Sequence, residues 1–240
     1  MSEKKIAIIL GRGGSKRIPK KNIIDFAGKP MIAWSIEAAI ASQQFDRVCV
    51  STDSEEIAEV ARDYGAEVPF LRTEAADDTA PASEATIVAL EQAEAFFSER
   101  YGIVAQLMGN CPLRHQVDIV DAMDNFARVQ PDAQISCFRY GWMNPWWAAE
   151  LGDDNRPFFK FTDTLTARSQ DLPPLFCPSG ALWVASVEAL KKYKSFYGGR
   201  SIFHTMSWMS AMDIDDVEDL EMALACQVLR SSRHDKTHQD

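Results

Sequence analysis

Lys5-Ile6-Ala7-Ile8-Ile9-Leu10-Gly11-Arg12-Gly13-Gly14-Ser15-Lys16-Arg17 joins a short apolar, β-branched run to a glycine-rich basic loop. A run of this length, uninterrupted by polar residues and stopped by glycine, reads as a strand buried in a parallel sheet. In an open α/β sheet ligands sit beyond the carboxyl ends of the strands, and the loop after the first strand is a frequent phosphate site. Here the glycines let backbone N–H groups curl around an anion, and the Lys and Arg side chains offset its charge. Arg12, Lys16, Arg17, Lys20 and Lys21 fall within ten residues that contain no Asp or Glu. Spacing excludes two familiar phosphate loops: a Walker A loop ends in Gly-Lys-Ser/Thr, and a dinucleotide fingerprint needs a third glycine where Lys16 stands. A solvated basic turn is the plainer alternative.

Outward from this stretch, helix-forming and strand-forming patterns alternate. Ile32, Ile36, Ala39 and Ile40 recur at helical spacing behind Pro30, giving a helix to about Gln43. Val48 to Thr52 reads as the next strand. Asp53 with Glu56 then forms a capping box for a helix that Gly65 ends, and Val68 to Leu71 follows as a strand. Ser83 caps a long helix that stops by Gly102; Ile103 to Met108 is a buried strand, Val117 to Val129 a helix and Gln134 to Phe138 a strand. Ala181 to Ala185 and Ile202 to Thr205 resume strand character, Val217 to Leu229 is the last helix, and residues 231–240 read as a frayed tail. The expected fold is therefore α/β: a doubly wound, mostly parallel sheet in a single domain over residues 1–240. Residues 139–179 break the alternation with aromatic, proline-containing sequence, too long for an ordinary connection and too apolar for a linker, and read as an insertion that packs on something.

Composition narrows the function. A net charge of −10 argues against a general nucleic-acid surface, so any polyanion must meet a local basic site. The apolar run before Leu10 is too short for a signal peptide or a membrane span. The five cysteines are scattered and include no Cys-x-x-Cys pair, which suits a reduced, cytoplasmic setting. Asp213-Ile214-Asp215 places two carboxylates on the same side of an extended segment just before the last helix. Such a pair suits Mg²⁺, which takes a few protein oxygens and keeps water or phosphate oxygens. Helix capping by Asp215 or Asp216 is the alternative.

Arg12-Gly-Gly-Ser-Lys16 with Ile18-Pro-Lys-Lys21-Asn22 and Gly28-Lys-Pro30 resembles the acylneuraminate cytidylyltransferase family. The resemblance runs on through Val50-Ser-Thr-Asp53, Gly65-Ala-Glu-Val-Pro69, Pro112-Leu-Arg114, Arg168-Ser-Gln-Asp-Leu-Pro173, Gly180-Ala181 and Asp213-Ile-Asp215, and so covers most of the chain. It implies a Rossmann-like nucleotidyltransferase fold with a dimerisation segment at residues 139–179. It also implies transfer of CMP from CTP to the anomeric hydroxyl of a sialic-acid-like nonulosonic acid, with release of pyrophosphate.

By the same resemblance, Arg12, Lys16 and Lys21 hold the triphosphate and stabilise charge in transfer. Gly13, Gly14, Ser15, Asn22 and Arg72 lie near the nucleotide. Asp213 and Asp215 hold Mg²⁺, with Asp215 also a candidate to activate the hydroxyl. Arg168 meets the acidic sugar, where a surface ion pair is the competing reading, and Gln106 is a further sugar contact. The chain departs from the pattern at Gly11, where Ala is usual, at Asn110-Cys111, where Ser or Thr is usual, and from Tyr140 to Trp147, where a substrate-binding lysine is expected. The partners implied are CTP, an acidic sugar and a second copy of the chain, with no nucleic acid and no membrane. Two rivals stand beside this reading: another sugar-nucleotide pyrophosphorylase, acting on a Kdo-type acid or using UTP or GTP, and a catalytically silent nucleotide-binding protein.

Overall fold

A computed structural model describes residues 3–73 and 81–237, with side chains described as far as residue 232. In chain order the elements are β1 (Lys5–Leu10), β2 (Asp25–Phe26), β3 (Lys29–Pro30), α1 (Met31–Ala41), β4 (Arg47–Ser51), α2 (Glu55–Asp63), α3 (Ala82–Phe97), β5 (Ile103–Met108), α4 (Gln116–Val129) and β6 (Ala133–Arg139). There follow β7 (Ala149–Leu151), β8 (Pro157–Phe159), β9 (Phe176–Ser186), α5 (Val187–Tyr193), β10 (Ser201–Thr205) and α6 (Val217–Thr237).

The central sheet has the order β10-β6-β9-β5-β1-β4, and β9 is its antiparallel member, paired with β5 on one side and β6 on the other. The sheet is thus mostly parallel, as the alternating pattern predicts. Alternation along β1 divides the core. Ala7 and Ile9 face Ile32 and Ile36 of α1, Ile57 of α2 and Ile119 of α4. Ile6, Ile8 and Leu10 face Ala85, Leu90 and Ala93 of α3, with Val187 and Leu190 of α5. Helices therefore cover both faces, which is the doubly wound arrangement. A smaller apolar group, Ile18, Phe26, Met31, Leu113, Ile214, Ala223 and Cys226, ties the loop after β1 to the loop after β5 and to α6.

Local expectations differ from the structure at several points. Asp53 does not cap α2; Ser54 precedes it, and the Asp53 carboxylate is engaged elsewhere. Val68 to Leu71 forms no ladder strand, only a single parallel bridge from Glu67 to Cys49. Ser83 lies inside the first turn of α3, after Pro81, and its hydroxyl accepts from the Phe196 N–H. That helix ends at Phe97, with Ser98 in the left-handed conformation, short of Gly102. Residues 231–237, expected to fray, continue α6, while 238–240 lie outside the described residues. The helix α5 and the β2–β3 hairpin had no counterpart in the sequence reading. That hairpin turns on Ala27 and Gly28, both at positive φ as a two-residue type I′ turn requires. The segment 139–179 contains the small β7–β8 hairpin, whose residues are exposed.

Candidate active site

The loops after β1, β4 and β5 leave the same edge of the sheet, because these strands are parallel neighbours. The loop after β1 is pinned to both. Gly11 N–H donates to Ser51 O at 3.1 Å, and Gly109 N–H donates to Leu10 O at 3.0 Å. A β-carbon at Gly109 would lie 3.0 Å from Asn22 Oδ1 and 3.2 Å from Leu10 O, so the close approach of these loops requires glycine there. At Gly11 an added β-carbon would meet the terminal methyl of Ile32 at 2.8 Å, so that side chain packs directly against the start of the loop.

Within the loop, buried Asn22 donates from Nδ2 to Arg12 O at 2.9 Å. The Gly13 N–H is held by Asp53 Oδ1 at 2.7 Å, and the Ser15 N–H donates to Gly13 O at 2.9 Å, so both amides are already used within the loop. Gly14 and Lys16 are exposed, and Arg12 and Ser15 are half-buried. Lys20 adopts a left-handed backbone, φ 55°, immediately before a single turn of 3-10 helix over Lys21–Ile23. A non-glycine residue costs energy there, and such strain concentrates at functional sites. Lys20 Nζ is anchored on Glu56 at 2.5 Å. The turn aims Lys21 across to the far end of the chain.

Lys21 Nζ donates to Asp215 Oδ1 at 2.8 Å, and Arg17 Nη2 reaches Asp215 Oδ2 at 2.7 Å. Arg17 is a site residue that the sequence reading did not single out; its place in the basic run was the available signal. Asp215 is free to accept both cations because helix capping falls to its neighbours. Asp216 Oδ1 accepts from Asp219 N–H at 3.0 Å, and Asp219 Oδ2 accepts from Asp215 and Asp216 N–H at 2.9 and 3.2 Å. The capping alternative thus belongs to Asp216, with Asp219 reciprocating three residues on.

Desolvation is the largest single influence on Asp215 and acts upward. The hydrogen bonds and charges of Lys21, then Arg17, together outweigh it and hold the pKa below the ordinary carboxylate value. Asp213 behaves oppositely. It is open at the surface, yet protein crowds it enough that desolvation, followed by the negative charge of Asp215, raises its pKa. Two carboxylates that repel each other beside a phosphate-type loop fit a divalent cation, which would relieve the repulsion. Among the described residues no group of three or more His, Cys, Asp or Glu side chains gathers as a metal site, so a cation here would take its other ligands from water or phosphate.

The remaining expected residues are more dispersed. Arg72 is buried beside the loop, its N–H donating to Thr52 O at 2.7 Å. Burial lowers its pKa, opposed by Asp53 and assisted by Arg12. Arg168 is exposed, and its guanidinium fork closes on Asp171 through bonds of 2.7 and 3.2 Å, which is the surface ion pair. Gln106 is fully buried on β5 on the same face as Val104, with neither amide atom hydrogen-bonded among the described residues. Cys111 is fully buried and desolvation pushes its thiol up to about 12, so it is inert.

A basic loop and an acidic pair brought together at the carboxyl edge of β1 define phosphate chemistry, and comparison with known proteins says which. The profile of the family described as Cytidylyltransferase matches residues 6–169.

The chain belongs to the cytidylyltransferase family.

Among relatives of this family, the pseudaminic acid cytidylyltransferase of Campylobacter jejuni subsp. jejuni serotype O:23/36 (strain 81-176) is 35% identical over 222 residues, covering 92% of this chain and 94% of that protein. The N-acylneuraminate cytidylyltransferase of Escherichia coli O18:K1:H7 (strain RS218 / NMEC) is 30% identical across 95% of this chain, which spans 53% of that protein. In fold, the chain is similar to CMP:2-keto-3-deoxy-manno-octonic acid synthetase complexed with CTP, with a TM-score of 0.69 at 15% identity over 95% of this chain and 99% of that one. Among the described residues, no helix is long and apolar enough to cross a membrane.

Proposed function

We propose that this cytidylyltransferase couples CTP to the anomeric hydroxyl of a nonulosonic acid, giving a CMP-sugar and pyrophosphate. The observation that carries the reading is the convergence of Lys21 and Arg17, from the basic loop after β1, on Asp215 of the acidic pair. The anomeric oxygen forms a bond to the α-phosphorus as the α–β phosphoanhydride bond breaks. Pyrophosphate leaves, and the hydroxyl proton is accepted at the acidic pair, with Asp215 in that role. Gly13, Gly14 and Ser15 shape the loop around the phosphates, Asn22 and Asp53 hold it in shape, and Arg72 lies behind it. Catalysis by these residues is positioning and charge stabilisation. Mg²⁺ held by Asp213 and Asp215 supplies Lewis-acid stabilisation of phosphate oxygens when bound.

The sugar proposed first is pseudaminic acid, because relatives 34–35% identical along 94% of their length bear that name. Arg168 is the proposed carboxylate partner, which requires the sugar to displace Asp171. The insertion is proposed to pack against a second copy of the chain, supported by its exposed Trp142, Leu151, Phe158, Phe159 and Phe161. The enzyme is proposed to act in the cytoplasm, where CTP is available. Pyrophosphate release from CTP, scored against N-acetylneuraminic, legionaminic, pseudaminic and Kdo-type acids, tests the function; no turnover with any of them defeats it.

A further inference from the structure

We infer that Asn110 is the positioning residue that presents the two carboxylates of the acidic pair, an inference that rests on the proposed role of Asp213 and Asp215 as metal ligands. Ile214 separates those aspartates and is fully buried. Asn110 clamps it from both sides: Ile214 N–H donates to Asn110 O at 2.9 Å, and Asn110 Nδ2 donates to Ile214 O at 2.9 Å. This is a strand-like pairing of one residue, with a side-chain amide replacing the second backbone N–H. It fixes the peptide planes on both sides of Ile214. In an extended segment those planes determine where the side chains of Asp213 and Asp215 point.

The clamp is rigid because the loop bearing it is tied on every side. Gly109 N–H bonds to Leu10 O, the buried Arg114 guanidinium donates to Ala181 O on β9, and Arg230 of α6 donates to both Leu113 O and Ser210 Oγ. Leu113 and Ile214 pack in the same apolar group as Ile18 of the phosphate loop. Asn110 itself is 5% exposed and reaches neither carboxylate in any described hydrogen bond, so it acts through Ile214. The Asn110-Cys111 departure is therefore a feature of the acidic side of the site. Side chains that orient metal ligands typically change metal affinity about 10–100-fold when removed.

The test is Mn²⁺ binding to the protein–CTP complex without sugar, followed by electron paramagnetic resonance and water-proton relaxation, alongside CTP binding in chelator by calorimetry. Wild type, Asn110→Ala and Asp213→Asn are compared. The expected result is Mn²⁺ affinity about 10–100-fold weaker in Asn110→Ala, with metal-free CTP affinity within about twofold of wild type. Unchanged Mn²⁺ affinity in Asn110→Ala, even with a lowered Tm, overturns the inference and leaves Asn110 as a loop anchor. Should Asn110→Ala fail to fold, Asn110→Ser, which keeps a shorter donor, is held to the same criterion. Absence of a ternary Mn²⁺ complex in wild type defeats the metal-ligand reading itself; a wild-type complex lost in Asp213→Asn but intact in the Asn110 variants defeats only the inference.

Discussion

Replacing Lys21 by Met separates the structural from the chemical role of the site. Lys21 Nζ lies 2.8 Å from Asp215, with 15% of the Lys21 side chain and 42% of the Asp215 side chain exposed. A part-buried ion pair whose carboxylate is exposed to this extent contributes about 1 kcal/mol. Asp215 also retains Arg17 at 2.7 Å, so the substitution leaves no uncompensated carboxylate. We expect a stability loss of no more than about 1 kcal/mol, or a Tm decrease of about 2–4 °C for a chain of this size. Removing a donor that stabilises transition-state charge typically costs about 10²–10³ in rate, or about 2.7–4 kcal/mol. Catalysis should therefore fall far more than stability.

The pH dependence has a definite sign. The folded pKa of Asp215 is depressed, so its contribution to stability is present above the ordinary aspartate value of about 3.9 and is lost as pH falls through the depressed value. Without Lys21 the folded pKa lies nearer the ordinary value, so the contribution is smaller and its loss is complete at higher pH. Paired thermal unfolding and pyrophosphate-release assays at several pH values check both claims. Turnover within threefold of wild type, or a Tm decrease well beyond 4 °C, refutes this reasoning.

Three other outcomes are expected. Asp213→Asn removes a carboxylate whose raised pKa means that its ionised form opposes folding, so Tm without metal at pH 7 should rise. The gain should vanish near pH 3, where wild-type Asp213 is itself protonated; a Tm decrease at pH 7 contradicts the assigned repulsion. Asp53→Ala frees the Gly13 amide held at 2.7 Å and costs about 1 kcal/mol, with KM for CTP up by about tenfold, whereas Asp53→Asn keeps an acceptor and most of the affinity. Equal KM values in both variants remove Asp53 from loop positioning. Phe158→Asp, on the exposed face of the β7–β8 hairpin, should convert a dimer to monomer in sedimentation equilibrium; an unchanged mass excludes that face as the interface.

Local chemistry made some elements legible and hid others. The run Lys5 to Leu10 and the run Ile103 to Met108 coincide with their strands because β-branched residues stopped by glycine leave little alternative. The direction of β9 was not readable, since an apolar run looks alike in a parallel or an antiparallel neighbour, and pairing partners are set by topology. Capping signals misled wherever a polar side chain had a tertiary use: Asp53 serves Gly13, and Ser83 serves Phe196. The phosphate loop and Asp213-Ile214-Asp215 were legible as separate motifs, each with its own chemistry. Their meeting through Arg17 and Lys21, about 200 residues apart in sequence, and the Asn110 clamp on Ile214 depend on tertiary contacts that no local pattern encodes.

The proposed function makes the basic loop and the acidic pair one CTP-dependent transfer site. Pyrophosphate release measured with CTP, UTP and GTP in turn, each with pseudaminic acid and Mg²⁺, tests it most directly. Turnover is expected with CTP; chelation should abolish it, and Lys21→Met and Asp213→Asn should each reduce it by about 10² or more. Equal turnover with UTP or GTP, or full activity in either variant, would contradict it.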